Sequence, residues 1–376
     1  MASLDLSSSP SLAARTREAW WLDRVRGQLL GWLAASRVGP LLVRRERRLA
    51  LLASGGIMLA LVLSVLAPAW LLLVGPLALG VPHLASDVRH LVLRRALPRG
   101  FLSVVIAACS SLLALRGLES LHALGGVAGR LEVGVASLWL GVAWWAGGDA
   151  RAARGARPNA SKGAALAALI VFLTASGQLW PYESRLVLAH AHNPIALLLW
   201  VQLFAAGACG DRSRRWVLLP ALLCTLSVLG LLWLPTQEFT LRHGVLELWG
   251  FDVVEASRWL APFGPSRWSL GLTLCYAALQ SMHYTLWLYC IPQSDTRAQG
   301  SPTFRMTCKG WLSDFGAFGL ALLVLGSLAL LLGATVDATG ARHVYLSIAG
   351  FHAYLELALW VFLLRRGLLA TPSSAR

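Results

Sequence analysis

The chain has 376 residues, of which 57% are hydrophobic and 14% are charged, and its mean hydropathy is +0.62. Soluble globular proteins carry about a quarter charged residues, so this composition excludes that class and predicts a polytopic membrane protein. The net charge of +15 does not indicate nucleic-acid binding, because the basic residues form short clusters between apolar runs, as in cytoplasmic loops that face anionic lipid.

The first 48 residues form a basic tail with no evident cleavable signal. Within the tail, residues 20–38 have helical periodicity with arginines on one side, which predicts a helix on the membrane surface. Residues 2–12 and the C-terminal tail, residues 367–376, are small and polar, and we expect both to be disordered. The transmembrane domain is expected to cover residues 49–366.

Apolar runs and the breaks between them predict an all-α bundle of about ten transmembrane helices. The predicted spans cover residues 49–66, 69–92, 101–116, 131–147, 163–180, 184–209, 214–234, 268–291, 311–334 and 343–364. Between the seventh and eighth spans, residues 236–267 are expected to form an interfacial helix that caps the bundle. The six cysteines mostly lie in or beside apolar runs, which indicates packing residues.

Basic residues set the expected orientation. With the N-terminal tail in the cytoplasm, the inner loops after the first short hairpin are all basic. The inner-loop residues are Arg94, Arg95, Arg99, Arg151, Arg154, Arg157, Lys162, Arg212, Arg214, Arg215, Arg297, Arg305 and Lys309. The outer loops hold fewer, namely Arg116, Arg130, Arg185, Arg242, Arg258, Arg267 and Arg342. The pattern predicts cytoplasmic termini and a multi-pass protein of the cytoplasmic (inner) membrane, in contact with membrane lipids.

Four spans contain a histidine near mid-membrane: His83, His192, His283 and His352. All four spans run from outside to inside, and a rise of 1.5 Å per residue spreads the histidines over roughly 10 Å in depth. Ionisable groups inside membrane spans are costly and mark functional sites. Because imidazoles and carboxylates suit iron, zinc, copper or manganese, the pattern predicts a shared metal site.

The stretch "GVPHLASDVRH" adds a carboxylate and a second histidine to the second span. His83, Asp87 and His90 recur at i, i+4 and i+7, so they share one face of a helix. We expect His83 to be a ligand, with Asp87 accepting a hydrogen bond from its distal ring nitrogen or from that of a neighbouring ligand. His90 lies nearer the cytoplasmic end and is a further candidate ligand.

The other histidine segments offer comparable choices. In "HAHNP", His190 and His192 point in different directions on a helix unless Pro194 breaks it. His192 is therefore the favoured ligand, and His190 is a candidate ligand or outer partner. In "FHAYLE", Glu356 follows His352 by one turn and is expected to orient an imidazole, as Asp87 does.

These motifs resemble those of the Brp/Blh-like family, bacterial membrane β-carotene 15,15'-dioxygenases. The segment "GVPHLASD" resembles the opening G-[apolar]-P-H-G-x-x-D motif of that family, with Leu84 in place of glycine. The segment "LSIAGFHAYLELALWVF" resembles its closing segment, while "AHAHNPIALLLW" and "LQSMHYTLWLY" take the two middle places without the family's additional Asp and His. The resemblance covers about 50 of the 376 residues, in the same order.

The resemblance implies an all-helical, iron-dependent oxidative enzyme with four histidine ligands. Its substrate would be a carotenoid or another long apolar molecule, and its expected cofactor is Fe²⁺, with other transition metals as alternatives. Two other classes fit the same residues. One is a transporter or channel with a proton path of His and Asp side chains, and the other is a metal-dependent lipid-modifying enzyme that does not use O₂.

Overall fold

The computed structural model describes residues 21–36, 39, 41, 45–95, 97–152, 160–208, 211–261, 266–294 and 303–366. Nearly all of these residues are helical, as the predicted all-α class requires. Residues 1–20 and the predicted C-terminal tail, residues 367–376, lie outside the described residues. Parts of two predicted inner loops, residues 153–159 and 295–302, lie outside them as well.

The described ranges form a succession of helices, interrupted once by a small hairpin. In chain order the helices are α1 (Trp21–Ala35), α2 (Arg45–Leu66), α3 (Gly75–Asp87), α4 (Arg99–Ser120), α5 (Ala128–Ala152), α6 (Ala160–Leu179), α7 (Pro181–Ala208), α8 (Asp211–Leu232), α9 (Leu234–His243), α10 (Val253–Leu260), α11 (Ser269–Thr285), α12 (Ile291–Ser294), α13 (Phe304–Ala334), α14 (Ala338–Ala349) and α15 (His352–Arg366). Strands β1 (Glu247–Leu248) and β2 (Phe251–Asp252) separate α9 from α10. Three π-helical turns extend this framework: Trp70–Val74, Val88–Val92 and Leu286–Cys290.

Within the described residues, five helical segments are long and apolar enough to cross a membrane. They are Glu46–Leu66, Trp70–Arg95, Arg99–Ser120, Phe304–Ala334 and Ala338–Arg366. Helices α8 and α9 pass the same test together, but a bend of 73° between them makes the pair a broken span or a re-entrant loop. Helices α5, α6, α7 and α11 overlap the remaining predicted spans. The chain therefore has the character of an integral membrane bundle.

The segment expected to form one interfacial helix, residues 236–267, is instead divided by the hairpin, so that prediction is wrong. Strands β1 and β2 pair antiparallel around Trp249 and Gly250, which both have positive φ (52° and 76°). Two central residues with positive φ suit a tight two-residue hairpin turn. The Asp252 side chain then accepts hydrogen bonds from the backbone N–H groups of Val254 and Glu255, and so begins the separate helix α10.

The main core surrounds the helices that carry the predicted ligands. Helix α15 packs along α5 and contacts α7, while α11 packs against α2 and α7. Large aromatic side chains fill the space between them, including the fully buried Trp139, Trp200, Trp287 and Phe362. Because these rings fix the spacing of the helices, they also fix the separation of side chains that project from α3, α7, α11 and α15.

Two glycines have conformational or steric reasons for their positions. Gly316 kinks α13 with φ 69° and ψ 172°, a backbone region that essentially only glycine occupies. Gly80, at the start of "GVPH", lets the Tyr345 ring lie against the backbone of α3, since a Cβ there would come closer than 3.0 Å to that ring. The Tyr345 hydroxyl in turn lies 3.3 Å from the Tyr284 hydroxyl on α11. Gly80 therefore permits the close approach of α3 and α14.

Gly80→Ala is expected to push α3 and α14 apart and to lower the free energy of unfolding by about 1–3 kcal/mol, the usual cost of overpacking. Thermal unfolding of the purified protein in detergent measures this change. Gly55→Ala is the matched control, because a Cβ at Gly55 on α2 meets no atom within 4 Å. The control should retain or slightly raise the melting temperature. If Gly80→Ala has the same melting temperature as wild type, the close contact between α3 and α14 is contradicted.

Candidate metal centre

Four histidines from four different helices meet in the interior. The Nε2 atoms of His83 and His283 lie 3.1 Å apart, and those of His192 and His352 are separated by the same distance, 3.1 Å. The ring centroids of His83 and His352 are 5.2 Å apart, and those of His192 and His283 are 5.1 Å apart. The structure thus brings together the four histidines that the sequence singles out, in one cluster named here the histidine cluster.

The opposite ring nitrogen of each histidine points away from the cluster toward an oxygen. Three Nδ1 atoms donate to backbone carbonyls: His192 to Leu188 (3.3 Å), His283 to Asn193 (3.3 Å) and His352 to Ala349 (2.5 Å). A proton on Nδ1 leaves a lone pair on Nε2, which is the form of imidazole that binds a metal. The carbonyls therefore set both the tautomer and the ring orientation.

Asp87 takes the corresponding position beside the fourth histidine. Its Oδ1 lies 3.3 Å from Nδ1 of His83, one helical turn earlier, and both side chains are completely buried. This is an ion-pair distance, although the two groups are not aligned as a hydrogen bond. The structure thus places Asp87 beside the distal nitrogen of His83, but the predicted hydrogen bond between them is not formed.

Glu356 was expected to contact an outward-facing ring nitrogen and so orient an imidazole. It lies instead on the side where the Nε2 atoms face one another. Its Oε1 is 3.1 Å from Nε2 of His283, the nitrogen that faces the cluster. Ligand atoms of His83, His283, His352 and Glu356 all lie within 4.8 Å of one another, and the four residues could hold a metal ion. The structure thus makes Glu356 a candidate ligand, and His192 joins this group through its contact with His352.

The donor set fits a metal ion on geometric and electrostatic grounds. Two imidazoles bound to one metal at about 2.0–2.1 Å hold their nitrogens roughly 3.0–3.4 Å apart, and both Nε2 pairs have such a separation. The carboxylate oxygens of Asp87 and Glu356 are buried and have no hydrogen-bond partner among the described residues. A bound cation would compensate the buried carboxylates and accept the imidazole lone pairs, so the donor set suits a metal ion.

Local irregularities of the helices aim these side chains. A π-helical turn follows α3 immediately after Asp87, and another follows α11 three residues after His283. Ser86 joins the two regions by donating to the Trp287 carbonyl (2.8 Å). A break at Gly350 and residue 351 separates α14 from α15 and puts His352 in the first turn of α15. Such wide turns and breaks are frequent at functional sites because they re-aim side chains.

The two additional candidate ligands do not join the group. His190 faces the other way, and its Nε2 lies 3.0 Å from the Leu260 carbonyl, because residues two apart on an unbroken helix point in different directions. Pro194 does not end α7, which runs to Ala208. His90 is buried in the π-helical turn Val88–Val92, where the wider turn changes the helical phase, and it is not among the four candidate ligands.

Several ionisable residues outside the cluster are paired or exposed. Asp314 pairs with basic side chains, Arg89 and Arg94, the latter at 3.0 Å. The remaining histidines described, His122, His243 and His343, are exposed. The described cysteines form no disulfide.

A group of polar side chains beside the cluster was not predicted from the sequence. The Tyr284 hydroxyl accepts a hydrogen bond from Gln280 (3.0 Å) and contacts the Tyr345 hydroxyl. These three residues line a cavity of about 20 Å³, as do His192, His283 and His352. A volume of this size holds one water-sized molecule. The signal available in the sequence was "QSMHY", where Gln280 and Tyr284 share a helix face.

A larger cavity of about 270 Å³ adjoins the cluster at His192 and His352. One wall is an ion-pair network in which Arg116 and Arg185 contact the buried Glu132 at 2.9 and 2.7 Å. Arg185 also contacts Glu119 at 2.6 Å, and the Tyr354 hydroxyl donates to Glu132 (2.9 Å). The sequence assigned both arginines to outer loops, but these pairs hold them against the bundle.

Comparisons of the chain with protein-family models, curated proteins and solved structures find no match.

The different positions of the two carboxylates predict different effects on metal binding. We expect wild type to bind about one metal ion per chain. Glu356→Gln removes a candidate ligand, and most of the bound metal should be lost. Asp87→Asn should retain the ion and weaken its affinity about 10- to 100-fold, the usual effect of losing a partner behind a ligand. Metal analysis and competition with a chelator measure both effects.

His122→Asn serves as the control, because His122 is exposed and asparagine tolerates its positive φ of 56°. Full metal retention by Glu356→Gln, at wild-type affinity, would show that Glu356 is not a ligand.

Proposed function

We propose that the chain is an integral membrane, metal-dependent oxygenase that acts on a carotenoid or another long apolar molecule, with non-haem iron held by the histidine cluster. The observation that carries the proposal is the close packing of four imidazoles, in two Nε2 pairs 3.1 Å apart, whose opposite ring nitrogens all face oxygens. A proton path needs ionisable groups in series, whereas these side chains form one compact cluster. That geometry favours a metal centre over a transporter.

Iron is the metal proposed because imidazole and carboxylate together suit Fe²⁺, and because the motifs resemble those of a family of membrane carotene dioxygenases. A bound iron would supply the activation of O₂. If both oxygen atoms enter one double bond of the substrate, that bond breaks and two carbonyl products form. The remaining work belongs to the side chains of this protein.

Three sets of side chains would share that work. Asp87 would hold the His83 ring in place through Nδ1. The Tyr284 hydroxyl, fixed by Gln280 and Tyr345, would donate a hydrogen bond to a small molecule in the 20 Å³ cavity beside the cluster. Apolar side chains of the larger cavity would bind the part of the substrate next to the centre and exclude water from it.

The size of the larger cavity bears on the substrate. Pockets that enclose a small molecule are commonly about 300–1,000 Å³. A cavity of about 270 Å³ is at the lower limit of that range. It therefore suits one end or one segment of a long molecule, with the remainder outside the cavity among the lipids.

Expression in a carotene-accumulating bacterial host tests the activity. Wild type should remove the pigment and form an aldehyde in air, because each broken double bond yields two carbonyl groups. His83→Ala should abolish both effects, whereas His122→Asn should leave both unchanged. Activity is scored by pigment extraction and by chromatography of the aldehydes.

The other outcomes of this experiment separate the alternatives. Product formation without oxygen would favour an O₂-independent lipid-modifying enzyme. Purified protein with less than about 0.2 equivalents of any transition metal would exclude the metal centre and favour the transporter.

The proposal includes ten membrane spans with both termini in the cytoplasm. Green fluorescent protein at the C-terminus should then fluoresce, and alkaline phosphatase fused there should be inactive. Alkaline phosphatase inserted after His122, between the third and fourth spans, should be active because that turn would lie outside. An active phosphatase at the C-terminus would show that the C-terminus lies outside the cytoplasm, contrary to the proposed orientation.

A further inference from the structure

Arg342 is a buried cation without a carboxylate partner. Its side chain is 4% exposed and lines the larger cavity, although the sequence assigned it to an outer loop. Its Nε donates to the Leu72 carbonyl (3.3 Å), and the guanidinium carbon lies 4.9 Å from the Trp259 ring centroid. Among the residues that the structure describes, no Asp or Glu is within ion-pair distance of it.

The other charges of the cavity balance one another. Arg116 and Arg185 are neutralised by Glu132 and Glu119. Arg342 is thus the only arginine lining this cavity whose positive charge has no acidic partner among the described side chains. A buried charge that lacks a partner is unfavourable, and an anionic group of a ligand would compensate it.

The surroundings of Arg342 suit a carboxylate in particular. A guanidinium offers several N–H donors in one plane and binds carboxylates with two parallel hydrogen bonds. Among the described residues, the Leu72 carbonyl is the only hydrogen-bond acceptor of Arg342, and it occupies only the Nε donor. The Tyr276 hydroxyl lines the same cavity, accepts a hydrogen bond from Gln280 (3.4 Å), and retains its own proton to donate.

The distance from Arg342 to the histidine cluster defines a length for the ligand. Arg342 and Ala349 are seven residues apart on α14, which is about 10 Å along the helix axis. The Ala349 carbonyl accepts the hydrogen bond from His352. Leu346, Leu188 and Ala353 are apolar residues of the wall between the two ends. The cavity is therefore lined by a cation, by His192 and His352 of the histidine cluster and by apolar side chains, with the cation about 10 Å along α14 from the residue that holds His352.

We propose that this cavity binds a long apolar molecule with a terminal carboxylate, held by Arg342 and Tyr276, with its chain directed toward the histidine cluster. The carboxylate would then fix the reacting part of the chain about 10 Å away. The assignment of the chain as the substrate rests on the proposed oxygenase function. Binding of the carboxylate does not, because Arg342 is not part of the histidine cluster.

Binding of tritiated palmitate to the full-length protein in neutral detergent tests this site, with hexadecanol and hexadecyl phosphate as competitors. Wild type should prefer palmitate to hexadecanol. In Arg342→Gln the ratio of the two affinities should fall about 10- to 100-fold, the effect of losing a charge-assisted hydrogen bond, while hexadecanol still binds. Tyr276→Phe should lower the ratio by a smaller factor.

Arg267→Gln is the matched control, because Arg267 is exposed and also contacts a tryptophan ring, that of Trp268 at 5.0 Å. It should leave the ratio unchanged. Because the ratio does not depend on the fraction of folded protein, it remains informative if Arg342→Gln is unstable, and Arg342→Lys provides a second variant that retains the charge.

An unchanged ratio in Arg342→Gln, or a wild-type preference for hexadecanol, would overturn the inference. If hexadecyl phosphate binds more tightly than palmitate, the ligand of this site carries a phosphate head group and the proposed carboxylate is wrong. Metal content is measured on the same samples. Selective palmitate binding by a protein that binds no metal would remove the oxygenase function and leave the carboxylate site standing, and the reverse result would remove the site alone.

Discussion

The rest of the structure depends on one electrostatic constraint: four imidazoles and two buried carboxylates are packed together, and no lysine or arginine among the described residues pairs with either carboxylate. An unpaired carboxylate near mid-bilayer costs at least about 2.5 kcal/mol, even on the mildest scale. Neither Asp87 nor Glu356 is compensated by a basic side chain. Arg89, only two residues from Asp87, is committed to Asp314. A bound cation would satisfy this constraint, and no arginine or lysine among the described residues does so.

Irregular helix geometry accompanies three of the four histidines, His83, His283 and His352, whereas His192 lies on a continuous helix. Straight α-helices would present His83 and His283 at angles set only by the regular turn. The π-helical turns that follow α3 and α11, linked by Ser86, alter the course of both helices next to the ligands. The break after α14 frees the Ala349 carbonyl to accept from His352. Rigid aromatic packing then holds the irregular segments at a fixed spacing, as a metal site requires.

The larger cavity next to the cluster also contains buried charges that need compensation. Its acidic residues and two of its arginines neutralise one another, so these groups can be buried at an acceptable cost without a ligand. Arg342 differs because its partners are a carbonyl and aromatic rings, none of which carries a full negative charge. The cavity is therefore electrostatically incomplete at one end, while the candidate metal centre is incomplete at the other. A ligand that joins the two ends must be apolar in the middle.

The sequence by itself determined the helical class, the positions of the apolar segments and the four histidines that meet, because hydropathy and the cost of ionisable groups in lipid are local properties. It could not decide the role of Glu356, since one turn after His352 is compatible with either side of an imidazole. Only the tertiary structure put its Oε1 beside His283. The sequence likewise predicts Arg342 to be a loop residue, because only the tertiary structure shows that the Trp259 ring of α10 covers its guanidinium. Periodicity within a helix shows which residues share a face, but it does not show which residue of another helix they meet. The contacts of Glu356 and Arg342 were therefore decided by packing between helices that are far apart in the chain.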